Sequence, residues 1–140
     1  RLAKEGLGAR ARVFNADARE ALELLVPEAS VANFFMHFPD PWWKKRHEKR
    51  LVFGATLLGS IARLLVDGGE FFVQTDVEER AVMYEEQMAT QPELLPFGDM
   101  EGEGSARMVE NPYQARSPRE HRAIADGLPV HRLRYRRRAR

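Results

Sequence analysis

The sequence predicts an α/β layered fold in which strands alternate with helices around a parallel sheet. Two stretches, residues 31–38 and 70–75, are typical of buried strands, and an aspartate follows each of them within two residues. Between them, apolar residues recur at helical spacing over residues 51–66. We therefore expect helices on both faces of a sheet, with ligand sites beyond the carboxyl ends of its strands.

The first third of the chain contains three further predicted elements. Residues 1–8 are typical of a helix end closed by glycine, and residues 9–15 of a short strand with Val13 and Phe14 at its buried end. Asp17 is a candidate N-cap for a helix that ends before Pro27. The nearly unbroken apolar run of residues 31–38 then predicts a central strand covered on both faces.

The remaining two thirds continue the alternation. We expect the helix of residues 51–66 to end at Asp67-Gly68-Gly69, a strand over residues 70–75 and a helix over residues 77–89. Residues 90–118 are rich in proline and glycine and predict loop, with a short strand at residues 94–97. Residues 128–136 alternate like a late edge strand, with Val130, Leu133 and Tyr135 inward, and residues 137–140 are expected to be a frayed basic tail.

Length and composition limit the class of protein. A chain of 140 residues fits one domain with a real core, and 44% apolar with 31% charged residues excludes wholesale disorder. We find no apolar run of about 20 residues and no signal peptide, which predicts a cytoplasmic protein without a membrane segment. The chain has no cysteine and four scattered histidines, so we expect no disulfide and no metal.

Charge is segregated along the chain although the net charge is only +1. Residues 44–50 and 132–140 are basic, whereas residues 67–110 are rich in Asp and Glu. Such asymmetry is typical of a protein that binds a polyanion with one face. The alternative is a solvated surface with a disordered basic tail.

The most informative stretch is residues 38–50, which reads F-P-D-P-W-W-K-K-R-H-E-K-R. Prolines on both sides of Asp40 predict a stiff, extended turn, and two indoles and a cationic tract follow it. A positioned carboxylate beside aromatic and cationic side chains suggests a site that handles a nucleobase. A charged turn entering a surface helix is the alternative interpretation.

This stretch resembles the signature F-P-D-P-W-x-K-K-R-H-x-K-R of the tRNA (guanine-N(7))-methyltransferase family. The resemblance implies a Rossmann-like class I methyltransferase sheet, S-adenosylmethionine as cofactor and methylation of guanine N(7) in the variable loop of tRNA. It extends over about residues 15–135. Two small departures are Trp43, where proline is frequent, and Leu51, where a further arginine is common.

The resemblance also implies roles for individual residues. Asp17 matches an acid that contacts the adenosine of the cofactor, and Asp40 the acid of the active site and cofactor edge; Lys44 and Asp76 match substrate-binding positions. Helix capping is the alternative role for Asp17 and Asp76. The T-x-x-E substrate motif is matched by Ser117, Pro118, Arg119 and Glu120, and the positions expected to hold RNA phosphates are Lys45, Arg46, His47, Lys49 and Arg50.

One departure is large, because the sequence contains no G-x-G-x-G loop and no strand-end acid to hold the ribose of the cofactor. Gly6-x-Gly8 lacks the third glycine and a preceding strand. The chain therefore looks like the C-terminal portion of such an enzyme, incomplete at the N-terminus. We expect it to bind the cofactor weakly by itself.

The residues would support a reaction governed by positioning. Guanine N(7) is unprotonated at neutral pH, so Asp40 is expected to orient the base rather than to act as a general base, and Trp42 or Trp43 to stack on it. Two alternatives remain. A non-catalytic RNA-binding module is favoured by the missing glycine loop, and an amino-directed DNA methyltransferase is suggested by Asp40-Pro41-Trp42, which only partly matches D-P-P-[YFW].

Overall fold

A computed structural model of the protein describes residues 4–39, 51–100, 102 and 104–140. Within these residues four strands form one mixed sheet in the order β1-β2-β4-β3. β1 and β2 are parallel, whereas β4 runs antiparallel to both β2 and β3. The elements in chain order are α1 (Ala18–Leu24), β1 (Val31–His37), α2 (Ala55–Leu64), β2 (Leu65–Thr75), α3 (Glu78–Met88), β3 (Leu94–Pro96), α4 (Pro118–Ala125) and β4 (His131–Arg137).

One face of the sheet carries the hydrophobic core. Phe71 and Val73 of β2 lie beside Tyr135 and Leu133 of β4, and all four are buried. The helices α2 and α3 cover this face with apolar side chains recurring at helical spacing. Their contributions to the core are Leu57, Leu58, Ile61, Ala62, Tyr84 and Met88.

The opposite face is polar and aromatic. Because side chains alternate along a strand, Phe72 and Gln74 of β2 and Arg132 of β4 point away from the core. The helix α4 lies on this side, since its buried Glu120 bonds to Arg132. The prediction of an α/β sheet with helices on both faces is therefore confirmed. The prediction that the sheet is parallel is wrong for the described residues, because only β1 and β2 run in the same direction and β4 is antiparallel to both of its neighbours.

β2 begins directly after α2, which corrects the predicted helix end at residues 67–69. The last helical residue is Leu64, and Leu65 already pairs with Val31 of β1. The register then shifts, so that Asn33 pairs with Glu70. A Cβ atom on Gly69 would lie 2.9 Å from the carbonyl oxygen of Ala32, so the glycines allow a bulge rather than end the helix.

Two strands lie elsewhere in the sheet than the sequence suggested. β1 is at an edge of the described sheet and is half exposed, so the prediction of a central strand covered on both faces is wrong for this part of the chain. β4 is interior rather than an edge strand, because it inserts between β2 and β3. The predicted inward positions Leu133 and Tyr135 are buried, and Val130 is partly buried.

The strand predicted over residues 9–15 is absent from the structure. Val13 and Phe14 are 80% and 81% exposed, and residues 8–10 form a turn in which the Arg10 amide donates to the Leu7 carbonyl. Apolar character alone does not make a strand, which needs a neighbour for its backbone hydrogen bonds. No helix was found over residues 4–8 either, where the chain forms turns.

Candidate functional site

The carboxyl ends of β1 and β2 lie side by side. The Phe38 amide, one residue beyond β1, donates a 2.8 Å hydrogen bond to the Gln74 carbonyl. Phe38 has a φ of +51°, which is uncommon for a residue with a Cβ and marks a sharp change of direction. The chain therefore turns out of the sheet just before the Pro39-Asp40 segment.

A buried tyrosine holds the residue that precedes Asp40. The Tyr84 hydroxyl of α3 donates to the Pro39 carbonyl over 3.1 Å. The ring of Tyr84 is fully buried and stacks on Phe53, with centroids 4.2 Å apart. Pro39 is thus fixed by the core beneath the strand ends.

Two predicted substrate-binding residues meet above this turn. Arg119, in the first turn of α4, forms an ion pair with Asp76, which directly follows β2. The Arg119 guanidinium carbon also lies 5.9 Å from the centre of the Phe38 ring. The ends of β1 and β2 and the start of α4 therefore converge, with the Arg119 side chain 46% exposed.

The start of α4 is defined by its sequence. The Ser117 hydroxyl accepts a 3.1 Å hydrogen bond from the Glu120 amide, and Pro118 occupies the first turn. This cap fixes the direction of α4 and hence the position of Arg119. It also gives Ser117 a structural role beside the predicted role in substrate binding.

Glu120 is fully buried on the polar face of the sheet. Its carboxylate accepts from Arg132 at 3.0 Å and from the Asn111 amide at 3.0 and 3.3 Å. Burial raises the pKa of Glu120, but its polar neighbours Gln74, Arg132 and Asn111 lower it more, so the pKa lies below its usual value. The Gln74 amide lies beside Glu120 but does not form a hydrogen bond with it. These contacts attach α4 to β4, and the substrate-binding role of Glu120 stays a prediction.

Asp17 caps α1, as predicted, by accepting a 2.9 Å hydrogen bond from the Arg19 amide. The Arg19 guanidinium also binds both carboxylate oxygens of Asp17. Hydrogen bonds from the Arg19 side chain, and then from its amide, lower the pKa of Asp17 to about 2. The carboxylate is therefore ionised at neutral pH, while contact with a cofactor stays a prediction.

Most of the predicted signature lies outside the described residues. The structure places Phe38 and Pro39 and resumes at Leu51. The predicted site residues that fall between them are Asp40, Lys44, Lys45, Arg46, His47, Lys49 and Arg50, together with Trp42 and Trp43.

The arginines of β4 are engaged within the protein. Arg134 and Arg136 both bind the Glu70 carboxylate, at 2.8 and 3.0 Å, and the Tyr113 hydroxyl donates to the same group. Burial raises the pKa of Tyr113 to about 12, with help from Glu70. Alternating arginines in the sequence could have signalled one strand face, but their acidic partner lies more than 60 residues away.

The last residue of the chain also has internal partners. Arg140 pairs with Asp67 at 2.6 Å and donates to the carbonyls of Arg63 and Leu65 at 2.9 Å. Arg137 donates to the Ala62 carbonyl at 2.9 Å. The basic end of the chain thus contacts the C-terminus of α2, where the prediction had a frayed tail.

The described residues contain neither a metal-binding cluster nor a membrane-spanning helix. No group of three or more His, Cys, Asp or Glu side chains in the described ranges is arranged to hold a metal ion. No helix in that part of the chain is both long and apolar enough to cross a bilayer.

The sheet is mixed and flanked by helices, its antiparallel strand β4 lies next to the parallel pair β1 and β2, and polar groups lie at the strand ends. This arrangement is that of a Rossmann-like methyltransferase domain. The family model described as "Putative methyltransferase" matches residues 9–133. The chain therefore belongs to this methyltransferase family.

Several curated relatives carry the name tRNA (guanine-N(7)-)-methyltransferase. The protein from Myxococcus xanthus is 35% identical over 123 residues, which are 88% of this chain and 57% of the relative. The protein from Parasynechococcus marenigrum is 36% identical over 132 residues, 91% of this chain and 54% of the relative. The protein from Hydrogenovibrio crunogenus is 36% identical over 103 residues, 74% of this chain and 41% of the relative. The chain thus spans about half the length of these relatives.

Proposed function

We propose that the protein transfers a methyl group from S-adenosylmethionine to N(7) of a guanine in the variable loop of tRNA. The names of the relatives support the reaction and the substrate. The observation that carries the proposal is the meeting of Phe38, Asp76 and Arg119 at the ends of two parallel strands, where the F-P-D-P-W signature begins. Sites in open α/β sheets form at such strand ends.

Positioning is the main task of the protein in this reaction. Guanine N(7) has a free lone pair at neutral pH, so no strong base is needed to make it a nucleophile. Asp40 orients the base by accepting hydrogen bonds from its Watson-Crick edge, and a charged acceptor makes such bonds stronger. The Tyr84 contact to Pro39 restricts the chain that carries Asp40.

Asp76 and Arg119 form the substrate side of this proposed site. Asp76 is mostly buried and paired, whereas nearly half of the Arg119 side chain is exposed. A guanidinium that keeps free N–H groups can bind a phosphate of the RNA while Asp76 fixes its direction. Lys44 and the cations of residues 45–50 are proposed to bind further phosphates.

The cofactor site is represented by few of the described residues. The resemblance assigns Asp17 and Asp40 to it, and of these two only Asp17 belongs to the described residues. About one third of the Asp17 side chain is exposed, and a carboxylate has lone pairs for further donors, so it fits a hydroxyl or amino group of an adenosine. When bound, S-adenosylmethionine supplies the electrophilic methyl group.

The proposal is tested with the complete gene product and unmodified tRNA. We expect transfer of labelled methyl from S-adenosylmethionine to tRNA and none to duplex DNA, with the label on N(7) of a variable-loop guanine. Asp40→Asn should reduce the rate by orders of magnitude, because the charged acceptor is lost while the shape is kept. Methylation of duplex DNA, or a normal rate in the Asp40→Asn variant, would contradict the proposal.

A non-catalytic RNA-binding module is the second candidate. It is favoured by the basic tract of residues 44–50, because binding of phosphates by cations needs no cofactor. Titration calorimetry separates the two candidates, since an RNA-binding module gives heat with tRNA and none with S-adenosylmethionine. We also propose a cytoplasmic location, where tRNA is modified.

A further inference from the structure

A cavity of about 530 Å³ lies near the carboxyl end of β2. It is bounded by Glu78, the first residue of α3, and by His131, the first residue of β4. His131 pairs across the sheet with Thr75, the residue before Asp76. Because neighbouring strands are about 4.8 Å apart, the cavity begins roughly one strand spacing from the chain that carries Asp76.

One wall of the cavity is apolar. It consists of Met100, Met108, Val109 and Val130. Met108 is buried, but Met100 and Val109 are 46% and 63% exposed, so large apolar side chains remain uncovered at the rim. Such a surface suits the face of a flat ring, and methionine adapts well to aromatic ligands.

The other wall is a network of charged side chains. The Arg107 guanidinium donates to Glu85 at 2.9 Å and to Glu78 at 3.2 Å. His131 Nδ1 lies 2.8 Å from Glu78, whose side chain is 55% exposed. Glu78 therefore presents a fixed acceptor at the mouth of the cavity.

The charges of the cavity argue against a phosphate. Arg107 is already bound by Glu78 and Glu85, and Arg132 by the buried Glu120. An incoming anion would therefore face paired cations and an exposed carboxylate. The ligand that fits has an uncharged flat ring and at least one N–H donor for Glu78.

We propose that this cavity binds the nucleobase of a tRNA nucleotide next to the methylated guanine. The proposal rests on the proposed function, because the target base at Asp76 and Arg119 brings its neighbour within reach. Bases of unpaired RNA loops splay apart and are held by stacking and by their polar edges. The cavity thereby helps to determine which nucleotide is presented for methylation.

The direct test uses the four nucleosides adenosine, guanosine, cytidine and uridine as probes, observed by saturation-transfer NMR. Val109→Trp fills the cavity from an exposed position, and Val82→Trp, on an exposed position of α3 outside the cavity, is the matched control. We expect saturation transfer to at least one nucleoside with the wild type and the control, and its loss with Val109→Trp. Met100→Ser, at the exposed rim, provides a second variant should the tryptophan disturb folding.

The second arm uses tRNA in which single variable-loop nucleotides beside the target lack their base. The wild type should bind one such tRNA about tenfold more weakly than intact tRNA, which is the effect expected from the loss of one stacked base. The Val109→Trp variant should bind that tRNA and intact tRNA with equal affinity. Equal affinity of Val109→Trp and Val82→Trp for intact tRNA, with equal nucleoside signals, would overturn the proposal.

The design separates this proposal from the proposed function. If tRNA is methylated and the cavity variants bind and react like the wild type, the cavity proposal fails alone. If no tRNA binds, the proposed function fails and the nucleoside signals still decide whether the cavity holds a base. S-adenosylhomocysteine is a further probe, and loss of its binding in Val109→Trp would assign the cavity to the adenine of the cofactor and overturn the tRNA assignment.

Discussion

Tyr84 has the contact that bears most directly on Asp40. We predict that Tyr84→Phe keeps the stacking on Phe53 but loses the bond to Pro39, which should lower the free energy of unfolding by about 1 kcal/mol. If the bond also positions Asp40, kcat for methyl transfer should fall further than the tRNA affinity. Urea unfolding and steady-state kinetics measure the two effects.

Tyr113→Phe is the matched control for that variant. It also removes a buried hydroxyl, but its partner is Glu70 in the middle of β2. We expect it to lose stability and to keep its kcat. An equal loss of kcat in both variants would show that stability rather than position controls the rate.

Glu120 is expected to make stability depend on pH. Since its folded pKa lies below the usual 4.5, its stabilising contribution is complete above that value and is lost as the pH falls through the folded pKa. Glu120→Gln should lower the free energy of unfolding by about 2 kcal/mol at pH 7.

The measurement is urea unfolding at several pH values. Between about pH 5 and 3, the wild type should lose stability more steeply than Glu120→Gln, because only the wild type must protonate this buried carboxylate. The exposed Glu110→Gln variant is the control. Parallel curves for wild type and Glu120→Gln would contradict the prediction.

At the scale of elements, the end of α2 is held by arginines from the last strand and beyond. Arg140 and Arg137 donate to carbonyls at the C-terminus of α2, where cations interact favourably with the helix dipole. We predict that Arg140→Ala lowers the free energy of unfolding by about 0.5 to 1 kcal/mol, measured by urea denaturation. The exposed Arg138→Ala should have almost no effect. A loss of RNA affinity without loss of stability would instead make Arg140 an RNA contact.

The boundaries of helices and strands were predicted well where the local sequence determines them and poorly where pairing with a neighbouring strand determines them. Ser117 and Asp17 cap the helices that follow them, and α3 spans Glu78–Met88 against a prediction of residues 77–89. In contrast, Gly68 and Gly69 signalled a helix end but form a bulge, because pairing with β1 draws Leu65 into the strand.

Part of the candidate site was predicted, because local motifs can be recognised in the sequence whereas contacts between distant residues cannot. Asp76 and Arg119 were identified by motif positions, and the structure brings them together. Glu120 was expected at the substrate, yet its partners Arg132 and Asn111, which were not associated with it in the sequence, hold it in the interior. The cavity wall of Arg107, Glu78 and His131 gave no sequence signal, because it unites three distant segments.

At the scale of the whole molecule, the two basic segments of the sequence have different roles. Three of the four arginines of β4 form ion pairs with Glu70 or Glu120, and the fourth, Arg137, donates to the Ala62 carbonyl. This strand therefore offers less free positive charge than its composition suggests. The tract of residues 44–50 is then the main candidate for binding a polyanion.

We predict that the tract makes tRNA binding depend on salt. If Arg46 and Arg50 each neutralise a phosphate, replacing both by alanine should reduce the slope of log affinity against log salt concentration by roughly 1.4 to 1.8. Fluorescence titration of labelled tRNA at several salt concentrations measures the slope. The variant Arg10→Ala with Arg138→Ala removes equal charge from exposed positions and should keep the slope. Equal slopes for the tract variant and the wild type would remove the tract from the RNA interface.

The interior position of β4 sets an order of assembly on the ribosome. β3 leaves the ribosome before β4 but can join the sheet only through it, since the sheet order is β1-β2-β4-β3. From the release of Thr75 until residues 131–137 follow, one edge of the strongly apolar β2 has no partner strand within the described sheet. Unpaired edges of this kind recruit other strands. A nascent chain that pauses between residues 97 and 130 therefore exposes this unpaired edge to strands of other chains.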